Sequence, residues 1–131
     1  MRSSKPLENG LPLPVDEATF LGDADFNHKV ILGLRRRNAA IDFQDANAGA
    51  VAGIPDSKVL SIAADLGRIL VSHDRSTMPA HFERFLTNRS SPGLIVVDQD
   101  LDIGRSIEEL LLIWTATDID EWKDKIGYVP I

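Results

Sequence analysis

From Thr19 onward, short apolar runs alternate with segments whose apolar residues recur at spacings of three and four. Repeated strand-then-helix patterning of this kind is the signature of βαβ units, and it restricts the chain to an α/β fold with a mostly parallel sheet. The strand-like runs are Thr19-Phe20-Leu21-Gly22, the weaker Ile41-Asp42-Phe43-Gln44, Arg68-Ile69-Leu70-Val71-Ser72, Leu94-Ile95-Val96-Val97 and a closing extended segment around Tyr128-Val129. Ile69 to Val71 are consecutively apolar, as expected of a central strand with both faces covered. Between the runs, four sets of residues share helical faces: Phe26, Val30, Ile31 and Leu34; Val59, Ile62, Ala63 and Leu66; Met78, Phe82, Phe85 and Leu86; and Ile103, Ile107, Leu110, Leu111 and Trp114. Asn27 is suited to begin the first helix and Gly67 to stop the second. An Ala/Gly-rich loop is expected from Ala46 to Pro55, and a short helix after Asp118. The result is a sheet of four to five strands in a Rossmann-like, three-layer α/β/α arrangement.

A chain of 131 residues with 44% apolar content supports one core. Residues 1–17 hold three prolines and a glycine with little apolar period, so they read as a flexible arm preceding a domain at 18–131. No apolar run approaches the length of a bilayer span, and no secretory pattern opens the chain. Cysteine is absent, which removes disulfides, thiolate metal sites and cysteine nucleophiles together and fits a reducing, cytoplasmic setting. A net charge of −6 argues against sequence-independent wrapping of nucleic acid, which needs a broad cationic surface. A local basic rim beside an acidic cleft remains compatible with it.

In open parallel sheets, ligands bind beyond the carboxyl ends of the strands, near the point where strand order reverses. Aspartates crowd those positions here. Asp23 and Asp25 follow the first strand, Asp74 the third, and Asp98, Asp100 and Asp102 the fourth, while Asp56 opens the second helix. Each has a plain structural explanation as well: Asp56 and Asp74 suit helix starts, and the 98–102 segment suits a solvated turn. Carboxylates gathered at one edge repel one another and call for a cation, shared protons or solvent between them. Mg²⁺ or Mn²⁺ suits such a set, because hard ions take a few carboxylates and keep several waters. A metal so held can polarise a phosphodiester and acidify an attacking water.

These residues also carry a resemblance. Phe20-Leu21-Gly22-Asp23-Ala24-Asp25-Phe26-Asn27, then Ile54-Pro55-Asp56-Ser57, then Gly67-Arg68-Ile69-Leu70-Val71-Ser72-His73-Asp74-Arg75 resemble PIN-like proteins of a family with no assigned function, which look like relatives of the PIN ribonucleases found as toxins in bacterial toxin-antitoxin pairs. The resemblance runs from about Thr19 to Val129 and implies the PIN-like form of the three-layer fold. It assigns Asp23, Asp56 and Asp74 as the catalytic acids and metal ligands, and the position of Asp25 beside Asp23 adds it as a further metal ligand. Relatives commonly carry Glu directly after the first Asp, where this chain has Ala24. Asp25 restores a carboxylate two positions on, and in a continuing strand residues 23 and 25 face the same way.

Other motifs are weaker. Asp98-Gln99-Asp100-Leu101-Asp102 with Glu109 mimics a calcium-binding EF-hand loop, but Ile103 stands where that loop needs glycine and a strand, not a helix, precedes it. His28, His73 and His81 lack the paired spacing of a zinc site. His73 and Arg75 adjoin Asp74 and are candidates for substrate or phosphate contact, with packing or solvation the commoner role for such a histidine. Arg35-Arg36-Arg37 complements the negative end of the first helix. Trp114 and Trp122 fit the core or a dimer contact better than base stacking, and no glycine-rich phosphate loop is present. The expectation is therefore a Mg²⁺- or Mn²⁺-dependent ribonuclease, the toxin of a toxin-antitoxin pair, with RNA, an antitoxin protein and a second copy of the chain as partners and no membrane. The alternative is a non-catalytic PIN-like binding or regulatory module.

Overall fold

The computed structural model describes residues 7–8, 11–12, 17–46 and 55–131. Most of the expected arm and most of the expected 46–55 loop, including Ile54, lie outside the described residues. Within the arm, β1 (Leu7–Glu8) pairs antiparallel with β2 (Leu11–Pro12). Glu17 then forms an antiparallel bridge to Asp118.

The main sheet contains β3 (Phe20–Gly22), β4 (Phe43–Asp45), β5 (Ile69–Ser72), β6 (Leu94–Val97) and β7 (Ile126–Val129). Their order is β4-β3-β5-β6-β7, and every pairing is parallel. Four helices connect them: α1 (His28–Arg37), α2 (Asp56–Leu66), α3 (Met78–Leu86) and α4 (Ile103–Ala116). A 3₁₀ turn at Ile119–Trp122 leads into β7. Among the described residues, no helix is long and apolar enough to cross a membrane.

Alternation along the central strands divides the core into two layers. Phe20, Ile69, Val71, Ile95 and Val97 pack with Val30, Ile31 and Leu34 of α1 and with Leu110, Ile113 and Trp114 of α4. Leu21, Leu70, Leu94 and Val96 face the other way, against Val59, Leu60 and Ala63 of α2 and Met78 and Phe82 of α3. The sheet is thus covered on both sides, which is why β5 and β6 are apolar without interruption. Trp114 is buried in the first layer and Trp122 is packed against it, so both serve the core.

Local signals set the ends of the elements. The Asn27 side chain accepts a hydrogen bond from Lys29 N and caps α1, while Gly67 closes α2 in the left-handed conformation at φ 69°. Arg35, Arg36 and Arg37 form the last turn of α1, and Arg35 also donates to the carbonyl of Phe43 at 2.6 Å. The second strand lies later than the apolar pattern suggests, at Phe43–Asp45. Ile41 is instead buried in the core ahead of the pairing.

Strand order fixes the place of the site. The chain steps from β3 outward to β4, then crosses over and lays β5 on the opposite flank of β3. The order reverses between β3 and β5, so a crevice opens beyond the carboxyl ends of those two strands.

Candidate active site

Gly22, the last residue of β3, allows close packing at the rim: a Cβ there would meet Ile31 Cδ1 at 3.1 Å and Phe43 Cε1 at 3.2 Å. Asp23 follows, its N–H continuing the ladder to Val71 O at 2.9 Å. The residue as a whole is 8% exposed. Its carboxylate accepts from Ala24 N at 2.8 Å and from the Ser72 hydroxyl at 3.0 Å. Burial pushes its pKa above the ordinary 3.8, the two hydrogen bonds oppose the rise, and the nearby charges of Asp56 and Asp25 add to it. An ionised Asp23 is therefore costly as the protein stands, and a cation beside it would relieve that cost.

Asp74 stands at the end of the adjacent strand in a different setting. One carboxylate oxygen accepts from Ser76 N at 3.0 Å and Thr77 N at 2.9 Å, and the other from the Thr77 hydroxyl. The Thr77 hydroxyl is the main cause of a lowered pKa, helped against burial by the N–H groups of Thr77, Ser76 and Met78. The carboxylate thus organises the turn that starts α3, the structural role open to an aspartate in this place.

Ser72 joins the two acids. Its hydroxyl donates to Asp23 and accepts the Asp74 N–H at 3.0 Å, from a position with no solvent exposure. Apolar periodicity gives no hint of this residue. A hydroxyl closing a central strand two positions before an acid is the signal that would have found it.

Asp56 is the first residue of α2, but Pro55 occupies the cap position and no side-chain cap bond forms. The expected capping role is therefore not the one it takes. Its carboxylate instead faces His81, with Nε2 3.7 Å from Oδ2. Asp25 is exposed, and Asp98 accepts from Asp100 N at 2.9 Å within its turn. Asp102 caps α4 by accepting from Arg105 N at 3.2 Å.

Asp23, Asp25, Asp56, Asp74 and Asp98 all line one open cleft of about 920 Å³ at the strand-order reversal, together with Ser72, His73 and Arg75. Asp100 and Asp102 do not line it. Among the described residues, no three Asp, Glu or His side chains converge closely enough to hold a metal ion by themselves. The carboxylates surround the cleft instead of closing on one point.

His73 is held on both sides. Its Nδ1 lies 2.9 Å from the Val97 carbonyl, its Nε2 receives Asn27 N–H at 3.2 Å, and its ring stacks on Phe26 with centroids 4.6 Å apart. A carbonyl can only accept and an amide N–H only donate, which fixes the tautomer with the proton on Nδ1. The ring braces the cleft wall. Arg75 is exposed, with its guanidinium 5.9 Å from the centre of the Tyr128 ring. One further acid was missed by sequence reasoning: Asp45, buried at the end of β4, lies 2.8 Å from His28 Nδ1.

Compared with known proteins, the chain matches no family model, no curated protein and no solved structure.

Proposed function

We propose that this chain is a metal-dependent ribonuclease of PIN-like type that acts as the toxin of a toxin-antitoxin pair. The observation that carries the reading is the lining of one cleft, at the reversal of strand order, by Asp23, Asp25, Asp56 and Asp74. Asp23 would hold a hydrated Mg²⁺ or Mn²⁺ directly, with Asp25, Asp56 and Asp74 reaching the ion through its waters. Direct bonds from only one or two carboxylates suit Mg²⁺, which keeps its remaining waters. When bound, the ion supplies Lewis-acid polarisation of the phosphodiester and a more acidic water. The protein's own part is to orient Asp23 through Ser72 and to steady the cleft wall through His73.

A second reading, a non-catalytic PIN-like binding or regulatory module, is favoured by two features. Asp74 spends both oxygens on its own turn, and Ala24 stands where relatives carry Glu. Calorimetry with Mn²⁺ and cleavage of a mixed single-stranded RNA pool, with Mn²⁺ and with chelator, separate the two. The ribonuclease reading expects metal binding and chelator-sensitive cleavage. A folded protein that binds no Mn²⁺ at millimolar concentration overturns it and leaves the module. A small antitoxin gene beside this one is the expected genomic setting for the toxin role.

A further inference from the structure

On the α2–α3 face, next to the acidic cleft, lies a second groove of about 440 Å³. Lys58, Arg84 and Arg89 line it with Ser57, Ser61 and Asn88, and no acidic residue is among its lining. Such a concentration of cations is unexpected in a chain of net charge −6. Helix electrostatics account for only part of it. Arg84 suits the last turn of α3, whereas Lys58 sits in the first turn of α2, where the helix dipole disfavours a cation. Arg89 forms an exposed ion pair with Asp65 at 3.0 Å and lies 5.6 Å from the centre of the Phe85 ring, presenting a planar cation beside an aromatic wall.

His81 connects the groove to the cleft. Its Nδ1 lies 2.9 Å from Arg84 Nη2, and its Nε2 faces Asp56 on the cleft wall. Both helices start at the cleft end of the sheet, so the groove leads from the cleft down the α2–α3 seam.

We propose that this groove is a track for the phosphate backbone of single-stranded RNA, delivering the strand to the cleft. Lys58, Arg84 and Arg89 contact backbone phosphates, Arg89 by exchanging its exposed Asp65 partner, the hydroxyl and amide groups contact phosphate or ribose oxygens, and the planar Arg89 guanidinium offers a face for a base. An acidic peptide would also satisfy the cations, and competition with polyglutamate separates it from RNA. The identity of the strand rests on the ribonuclease reading; the test is run in chelator so that binding is measured apart from cleavage.

The experiment is fluorescence anisotropy of a short, labelled, mixed-sequence single-stranded RNA at several salt concentrations. It compares wild type, Lys58→Gln/Arg84→Gln/Arg89→Gln, and Arg36→Gln as an exposed cation elsewhere, with circular dichroism confirming that each is folded. The groove variant is expected to bind roughly tenfold or more weakly at low salt. The slope of log affinity against log salt should flatten by about 0.7 for each phosphate contact removed, and Arg36→Gln should match wild type. Equal binding by wild type and the groove variant overturns the proposal, as does absence of RNA binding by wild type. Displacement of the RNA by polyglutamate as readily as by unlabelled RNA also overturns it, by making the groove a general anion surface. If the groove variant loses RNA while wild type shows no metal-dependent cleavage, the track stands and the ribonuclease reading falls.

Discussion

The ends of β3 and β5 carry the same residue type on adjacent parallel strands, and the protein treats the two in opposite ways. Asp23 is buried with two donors, and its charge is disfavoured. Asp74 is partly exposed, its oxygens filled by a turn, and its charge is favoured. What separates them is the supply of donors relative to the loss of water. A carboxylate that pays for its burial without full compensation has a reason to be there other than stability, whereas one that organises a helix start is explained by that alone. Asp23 is accordingly the stronger bet for chemistry.

The largest expected difference lies in catalysis. On the proposed ribonuclease reading, Asp23→Asn should lower metal-dependent RNA cleavage by about 100-fold or more while leaving the protein folded, since it removes the acid assigned to hold the ion. Measured rates for Asp23→Asn and Asp74→Asn against wild type check this. Undiminished cleavage by Asp23→Asn would remove the reading, and undiminished cleavage by Asp74→Asn would reduce that residue to a cap.

Stability should rank the two acids the other way. Asp74→Ala strips the turn of its acceptors and should cost up to about 2 kcal/mol in urea unfolding at neutral pH, the scale of a lost helix-start cap. Asp23→Asn should leave the apo protein as stable or make it more so, because a disfavoured charge is removed. Equal losses from both would show that the contrast in their surroundings has no energetic weight.

The residue between them should sharpen the contrast. Ser72→Ala withdraws a donor from Asp23 and an acceptor from Asp74 N–H, and should cost about 1 kcal/mol while moving the Asp23 titration further upward. Carboxyl chemical shifts followed through a pH series would detect the movement. An unmoved Asp23 would mean that the hydroxyl does not hold its charge.

The pH dependence of stability carries the same opposition. Asp23 has its folded pKa raised, so native Asp23 retains a proton that the unfolded chain gives up near 3.8. Its contribution is complete below 3.8 and is lost as pH rises through the raised value. Asp74 has its folded pKa lowered, so its contribution is complete above 3.8 and is lost as pH falls through the lower value. Unfolding free energies of wild type minus Asp23→Asn should therefore decline as pH rises above 3.8, and those of wild type minus Asp74→Ala should decline as pH falls below it. The smallest effect should be that of Asp98→Asn. Asp98 lines the cleft but is bonded within its own turn, so its cleavage rate should stay within a few-fold of wild type.

Much of this architecture is legible in the sequence, for identifiable reasons. Leu94–Val97 has the bounds its apolar run suggests, because a strand covered on both faces leaves an uninterrupted record. Asn27 and Gly67 end their helices through local chemistry that depends on the residue itself. The gathering of Asp23, Asp25, Asp56, Asp74 and Asp98 around one cleft was also legible, since strand ends in a parallel sheet share an edge. What could not be read depends on contacts distant in sequence. Neither the Ser72 bridge nor the pairing of Asp56 with His81 leaves a periodic trace, and the α2–α3 groove draws its cations from α2, α3 and the turn after α3, segments that look unremarkable one at a time.

The reversal of strand order also bears on how the molecule comes into being. Asp23 meets its Ser72 partner 49 residues later in the chain, and only after α2 has carried the backbone across to the far flank of β3. Closing so large a loop is entropically slow compared with forming any single helix, and no contiguous fragment ending before β5 can assemble the cleft. A ribosome therefore releases most of the acids of this site well before they can act together. Whatever the cleft does, it does as a late product of synthesis, and a nascent chain halted before residue 72 carries Asp23 and Asp56 without the partner strand that would bring them to one place.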